Sequence, residues 1–347
     1  MKAVVCHAPR DLRIEDRPEA AAPGPGEAQI AISHGGICGS DLHYYLHGGF
    51  GAVRLVEPLI LGHEVSGIVT ALGPETQGLA VGDRVAVNPS RPCGTCAYCL
   101  RGQPNQCLDM RFNGSAMRTP HEQGLMRAQL TLPAAQAVRL APGTDLALAA
   151  MTEPLAVALH AVRQAGSLVG KRVLVTGCGP IGCLVISAAR LAGAAQIVAT
   201  DIAEAPLGIA RGMGADEVID LGRSPEAMET LSRGKGTVDA SFECSAAPPA
   251  IAGTLGATRA GGTVVLVGIG GEVPLPLGTA VAKELTLRGT FRFHEEFALA
   301  ARMIETGRID PAPLLTGVHE AEEAREAFDL AADKSRAMKV QIRFPGP

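Results

Sequence analysis

At 347 residues the chain is longer than one compact core usually grows, so two domains are expected. Hydrophobic residues at 47% and charged residues at 19% exclude a disordered or fibrous protein. A net charge of −4, no tryptophan and 3% aromatic residues argue against nucleic-acid binding, which calls for a basic face or stacking platforms.

In chain order, the opening MKAVVCHAPRDLRIED turns charged by Arg10, too soon for the apolar centre of an export signal. Residues 1–150 are punctuated by glycine, proline and short β-branched runs such as AQIAIS, VSGIVTAL and DRVAVN. They predict a β-rich domain without a long helix. From about Gly170 the texture changes. RVLVTG predicts a strand, PIGCLVISAARLAG a helix, QIVATD a strand, LGIARGMGA a helix and EVID a strand, the alternation of a parallel sheet. VDASFEC continues it, followed by a helical stretch near 248–260 and the apolar run GGTVVLVGIG, as expected of a sheet buried on both faces. After Thr286 the alternation stops, residues 295–307 and 320–333 predict helices, and KVQIRF predicts a closing strand. The expected division is an α/β chain with domains at 1–150 and 151–288, and a tail at 289–347 that returns to the first. The most apolar stretch, Val173–Ala189, is broken by Gly177, Gly179, Pro180 and Gly182 and is read as strand, turn and helix. A cytoplasmic protein is expected, with neither membrane nor nucleic acid as partner.

Nine cysteines in such a protein point to metal or catalysis rather than a disulfide framework. Cys93, Cys96, Cys99 and Cys107 are close enough in sequence to close a tetrahedral thiolate shell around a structural zinc, with no position left for chemistry. A second, dispersed set comprises Cys38 in GGICGSDLHYY, His63 and Glu64 in LGHEVSG, and Glu153 in TEPLAVALH. Thiolate, imidazole and carboxylate together bind zinc while leaving a place for water or substrate. The third signal is Gly177, Gly179, Pro180, Ile181 and Gly182, a GxGxxG turn between a strand and a helix, with Asp201 closing the next strand. The turn's amides suit a pyrophosphate and the acid a ribose diol. The charge of Asp201 repels a 2′-phosphate, so NAD is favoured over NADP.

With these three in order, the sequence resembles the zinc-containing medium-chain alcohol dehydrogenases, in the sorbitol dehydrogenase branch, over essentially all 347 residues. The stretches CGSDLHYY, VNPSRPCGTCAYC, NQCLDMRFNGSAM, EPLAVALHA, GCGPIGC and LRGTFRF carry the resemblance. It implies a GroES-like β-rich catalytic domain built from the N-terminal part and the tail, a Rossmann domain between them, an active site in the cleft and a homotetramer. It also implies a catalytic and a structural zinc, besides NAD. Cys38 and His63 match the catalytic zinc ligands, and Glu64 and Glu153 both stand as candidates for the next position. Ser40 matches a proton-relay hydroxyl, and His43 is either its successor in the relay or a packed or capping residue. Tyr44 matches a polyol-contacting tyrosine, and Arg292 stands where the family contacts substrate and nicotinamide. Val267, Gly268 and Ile269 are further candidate cofactor contacts, and Phe112 a further substrate contact. Where some relatives carry an arginine five positions after the ribose-binding acid, Pro206 stands here, which weakens NADP binding further.

The implied reaction is oxidation of a secondary alcohol on a small sugar acid or polyol, L-idonate to 5-keto-D-gluconate being the first expectation. Sorbitol or another polyol and an L-threonine-like amino alcohol are the alternatives within enzymes, and a zinc-stabilised binding protein is the alternative outside them. A sugar acid needs a positive partner for its carboxylate. Arg292 is the first candidate, followed by Arg111, Arg118 and His121.

Overall fold

The computed structural model describes residues 1–346. They divide into two compact units, the first comprising residues 1–153, 297–307 and 315 onward, the second 154–296 and 308–314.

In the first unit the hub is the strand Glu27–Gly36, whose Ala28, Ile30 and Ile32 are fully buried. It pairs antiparallel with Glu64–Leu72, Gln129–Pro133 and Lys339–Arg343. The sheet grows outward through Arg84–Val87 to Ala137–Arg139 on one side and to Leu315–Glu320 on the other, seven strands in all. Val4, Leu12, Ile30, Ile32, Leu61, Val85, Phe328 and Ile342 share one core. Each such side chain contributes about 1.5–3 kcal/mol by leaving water. The tail is part of this core: Phe328, on the helix Ala324–Ala332, meets the Tyr45 ring edge-on at 5.5 Å, and the Tyr45 hydroxyl donates to Asp329 at 2.8 Å.

The second unit is built on six parallel strands in the order Glu217–Asp220, Gln196–Asp201, Arg172–Thr176, Val238–Glu243, Thr258–Leu266 and Thr286–Gly289. The order reverses beside Arg172–Thr176, the doubly wound arrangement in which ligands sit beyond the carboxyl ends of the strands. Val173, Leu174, Val175, Ile197, Val198, Val264 and Val265 are fully buried, which explains why these strands read as continuous apolar runs. The last strand is a correction. Thr286–Gly289 continues the parallel sheet where the alternation was expected to stop. It is a four-residue edge strand with Thr286, Arg288 and Gly289 exposed, joined by backbone pairing and carrying no apolar run.

Candidate active site and metal centres

Gly36 ends the hub strand opposite Glu64. A Cβ on Gly36 would stand 2.2 Å from Glu64 Oε2, so only glycine leaves that carboxylate its place. Cys38 then caps the helix Gly39–His47. In the first turn Asp41, fully buried, accepts the Cys38 amide at 3.0 Å with one oxygen and the Gly62 amide at 3.0 Å with the other. One carboxylate therefore ties the turn bearing Cys38 to the turn bearing His63.

The thiol of Cys38, a ring nitrogen of His63 and a carboxylate oxygen of Glu64 all lie within 4.8 Å of one another. His63 packs against the Phe112 ring at 5.4 Å, and its Nδ1 is buried without a hydrogen-bond partner, 3.9 Å from Asp41. An unsatisfied buried nitrogen costs about 1–3 kcal/mol, which a coordinated cation would remove. Burial, then the neighbouring Glu64, pushes the Cys38 thiol up to about 12. Burial likewise raises Glu153 to about 8, against the pull of His63. Soft thiolate, imidazole and carboxylate thus form a donor set that fits zinc with a coordination position to spare. Glu153 lies at the start of the helix Thr152–Gln164, buried but outside the three-donor group. Glu64 is also held by Lys339, whose Nζ lies 2.8 and 2.7 Å from its two oxygens and 3.2 Å from the Ile37 carbonyl.

Around this group, Ser40 is half-buried on the first turn of the helix and His43 is exposed one turn later, its ring 6.0 Å from His47 and 5.7 Å from Phe50. Tyr44 is buried and its hydroxyl oxygen accepts the Ala116 amide at 3.0 Å, which anchors the loop after Phe112. Two of the cations considered for a substrate carboxylate are already engaged: Arg111 pairs with Glu122 at 3.2 Å and Arg118 with Asp109. His121 is buried, accepting the Val56 amide at Nε2 and facing the Arg118 carbonyl at Nδ1.

Cys93, Cys96, Cys99 and Cys107 also bring their sulfurs within 4.8 Å of one another. Amides aim at them: Cys93 and Asp109 donate to Cys107 at 3.2 and 3.3 Å, and Cys96 donates to Cys93 at 3.3 Å. Amide donors draw the Cys93 thiol down to about 6, whereas burial, then the shared hydrogen of Cys96, pushes Cys99 up to about 12. Four sulfurs already receiving hydrogen bonds fit a fully thiolate-ligated zinc.

In the second unit the glycine turn follows Arg172–Thr176, and Pro180 opens the helix Pro180–Leu191 at a position where no amide is needed. Gly177 has φ of +87°, and a Cβ on Gly182 would stand 1.9 Å from the Gly177 carbonyl oxygen, so neither position admits a side chain. Asp201 accepts the Cys178 amide of that turn at 2.7 Å and, on its other oxygen, the Ile202 and Ala203 amides at 2.7 and 3.1 Å. Beyond Thr258–Leu266, Val267 is buried and Gly268 half-buried, and Ile269 is exposed. Arg292 adopts a positive φ of 54° and sets its guanidinium 4.8 Å from the Phe291 ring centroid. A cavity of about 550 Å³ along the Glu217–Asp220 edge contains none of these residues, being lined by Arg172, Asp220 and Arg223 among others. Its mixed charges are internally paired, and the donor geometry rather than the hollow locates the chemistry.

Three residues of this architecture escaped the sequence reading. Asp41 carried a signal, since an acid three positions after a helix cap reaches back to the cap amide. Lys339 carried none, because a lysine at the head of a strand is ordinarily solvated. Glu243, described below, looked like the end of an apolar strand.

Residues 24–142 match the alcohol dehydrogenase GroES-like domain and residues 180–306 the zinc-binding dehydrogenase domain. The chain is 43% identical over 316 residues to L-idonate 5-dehydrogenase (NAD(P)(+)) of Escherichia coli K12, covering 91% of each chain. It is 34% identical to sorbitol dehydrogenase of Gallus gallus, over 98% of this chain and 96% of that one. Among solved structures, L-idonate 5-dehydrogenase from Escherichia coli K-12 superposes with a TM-score of 0.94 at 40% identity, over 99% of this chain and 98% of that one.

Proposed function

This chain belongs to the zinc-containing alcohol dehydrogenase family, a group of NAD(P)-linked oxidoreductases, and from that premise we propose that it oxidises L-idonate at carbon 5 to 5-keto-D-gluconate with NAD. The observation that carries the substrate is the 43% identity, across 91% of both chains, to an L-idonate 5-dehydrogenase. A polyol such as sorbitol is the second reading, favoured by the 34% identity to a sorbitol dehydrogenase over 98% of this chain.

Cys38, His63 and Glu64 would hold a zinc that would supply a Lewis acid for an alcohol oxygen, and a bound NAD would supply the hydride acceptor. The protein's own residues do the rest. Asp41 fixes the two turns that aim Cys38 and His63, the positioning work that outer residues perform for metal ligands. Lys339 holds the Glu64 carboxylate in place, while Glu153, raised by burial, would hold a water or exchange with Glu64. Ser40 takes the hydroxyl proton and His43, exposed one turn along the helix, releases it to solvent. Tyr44 and Phe112 shape the substrate side. On the second unit the Gly177–Gly182 turn and helix terminus hold the pyrophosphate, and Asp201 binds the adenosine ribose and excludes a 2′-phosphate. Val267, Gly268 and Ile269 line the cofactor, and Arg292 serves the substrate carboxylate.

We further propose a cytoplasmic homotetramer. No helix of the described residues is long and apolar enough to cross a membrane. The edge strand Thr286–Gly289 and the exposed Leu277 and Val281 just before it are the kind of surface a second copy covers.

A panel of L-idonate, sorbitol and L-threonine with NAD, followed by absorbance of the reduced cofactor, tests the substrate. L-idonate is expected to turn over fastest, and faster sorbitol oxidation overturns the assignment. Arg292→Gln is expected to raise the Michaelis constant for L-idonate about tenfold or more, through loss of a charge-assisted bond, and that for a neutral polyol far less. Equal losses would assign Arg292 to the cofactor or to shared hydroxyls.

A further inference from the structure

Glu243 ends the strand Val238–Glu243 at the carboxyl edge of the parallel sheet and is 1% exposed. Its carboxylate accepts the Ser245 amide at 2.9 Å, the Ser245 hydroxyl, and the Ala246 amide at 3.2 and 3.0 Å on its two oxygens. These donors are all neutral. Its own carbonyl accepts the Val267 and Gly268 amides at 2.8 and 2.9 Å, so one residue ties the loop after its strand to the loop after Thr258–Leu266. That loop is tightly set. Ala246 holds a positive φ of 58°, which an alanine adopts only when its surroundings impose it. A Cβ on Gly177 would meet Ser245 at 3.0 Å and one on Gly268 would meet the Ala246 nitrogen at 2.5 Å. The carboxylate thus stands behind a loop packed against both the glycine turn and Gly268.

The sheet order gives this anion a direction. Asp201 lies on the strand to one side of the glycine turn and therefore takes the adenosine half of a dinucleotide, so the nicotinamide half extends over the other side. That side consists of the strands Val238–Glu243, Thr258–Leu266 and Thr286–Gly289. Oxidised nicotinamide carries a positive charge and reduced nicotinamide does not. We propose that Glu243 is a redox-state selector: its buried charge strengthens binding of oxidised over reduced cofactor and so favours product release in the oxidising direction. The inference rests on the reading of the second unit as an NAD site. Coulomb attraction at an effective dielectric of about 20 is expected to alter affinity by about tenfold.

The test is calorimetric titration of the zinc-loaded protein with NAD⁺ and with NADH, which reads binding without turnover. In Glu243→Gln the dissociation constant for NAD⁺ is expected to rise about tenfold relative to that for NADH. Glu243→Asp, which keeps the charge, is expected to hold the wild-type ratio even if both affinities fall. Equal weakening of both cofactors by Gln would show a purely structural residue and overturn the proposal, as would an unchanged ratio. If Glu243→Gln fails to fold, the same change is made with Ala246→Gly, which relieves the positive-φ strain. Failure of the wild type to bind either cofactor would instead reject the NAD reading, so the two failures are distinguishable.

Discussion

The two zinc-fitting clusters of the first unit are built in opposite ways. Cys38, His63 and Glu64 come from a helix cap and the head of a strand, and buried charges behind them, Asp41 and Lys339, set their positions. Cys93, Cys96, Cys99 and Cys107 come from one short loop whose helix, Ala97–Leu100, buries no side chain, and the amides that hold the sulfurs belong to the same loop. The first cluster borrows its geometry from the core and leaves chemistry room. The second draws on its own loop, which a bound metal would tie together. Position in the core, not the number of good ligands, separates a reactive centre from a staple.

Removing a ligand from each cluster probes this contrast most directly. Cys38→Ser is expected to lower turnover about a thousandfold or more while the melting temperature barely moves, since the surrounding strands do not depend on the metal. A zinc-replete, active variant would break the assignment. Next in size, Lys339→Met leaves the Glu64 carboxylate buried without its partner and is expected to cost about 3–5 kcal/mol in urea unfolding of the zinc-free protein. Pairing it with Glu64→Gln should recover most of that loss. A cost below about 1 kcal/mol would show that the site tolerates a bare charge without help from the tail. The smallest effect is expected for Cys99→Ser, which opens the four-sulfur shell: zinc content drops by one per chain and stability by about 2 kcal/mol or less. Turnover per remaining zinc should stay within about twofold, because the two clusters share no ligand and Cys38, His63 and Glu64 are positioned by Asp41 and Lys339. Loss of activity in proportion to the lost stability would instead mean that the lobe supports the reactive centre.

How much of this was legible in the sequence follows from how far apart the partners lie. The four cysteines could be read because their ligands are neighbours along the chain. So could the glycine turn and Asp201, where strand, turn, helix and acid follow in fixed order. The helices expected at 295–307 and 320–333 appear as Glu296–Glu305 and Ala324–Ala332, trimmed at ends where periodicity says least. What could not be read was who neutralises whom. Lys339 reaches Glu64 only because the closing strand pairs with the hub strand, a contact made by topology across most of the chain. Arg111 and Arg118 looked like cations available to a substrate until the loop folded back and set Glu122 and Asp109 against them. The edge strand Thr286–Gly289 was missed because backbone pairing, not side-chain pattern, makes it a strand.

The place of Lys339 also bears on how the molecule matures. The cysteine, histidine and acids of the reactive centre are all synthesised long before the strand that brings Lys339 to them. Without that strand the donors are present but the cation that meets the Glu64 carboxylate in the finished fold is not. Docking of the last strand thereby completes the reactive centre, because the same pairing that closes the sheet delivers the ammonium that meets Glu64.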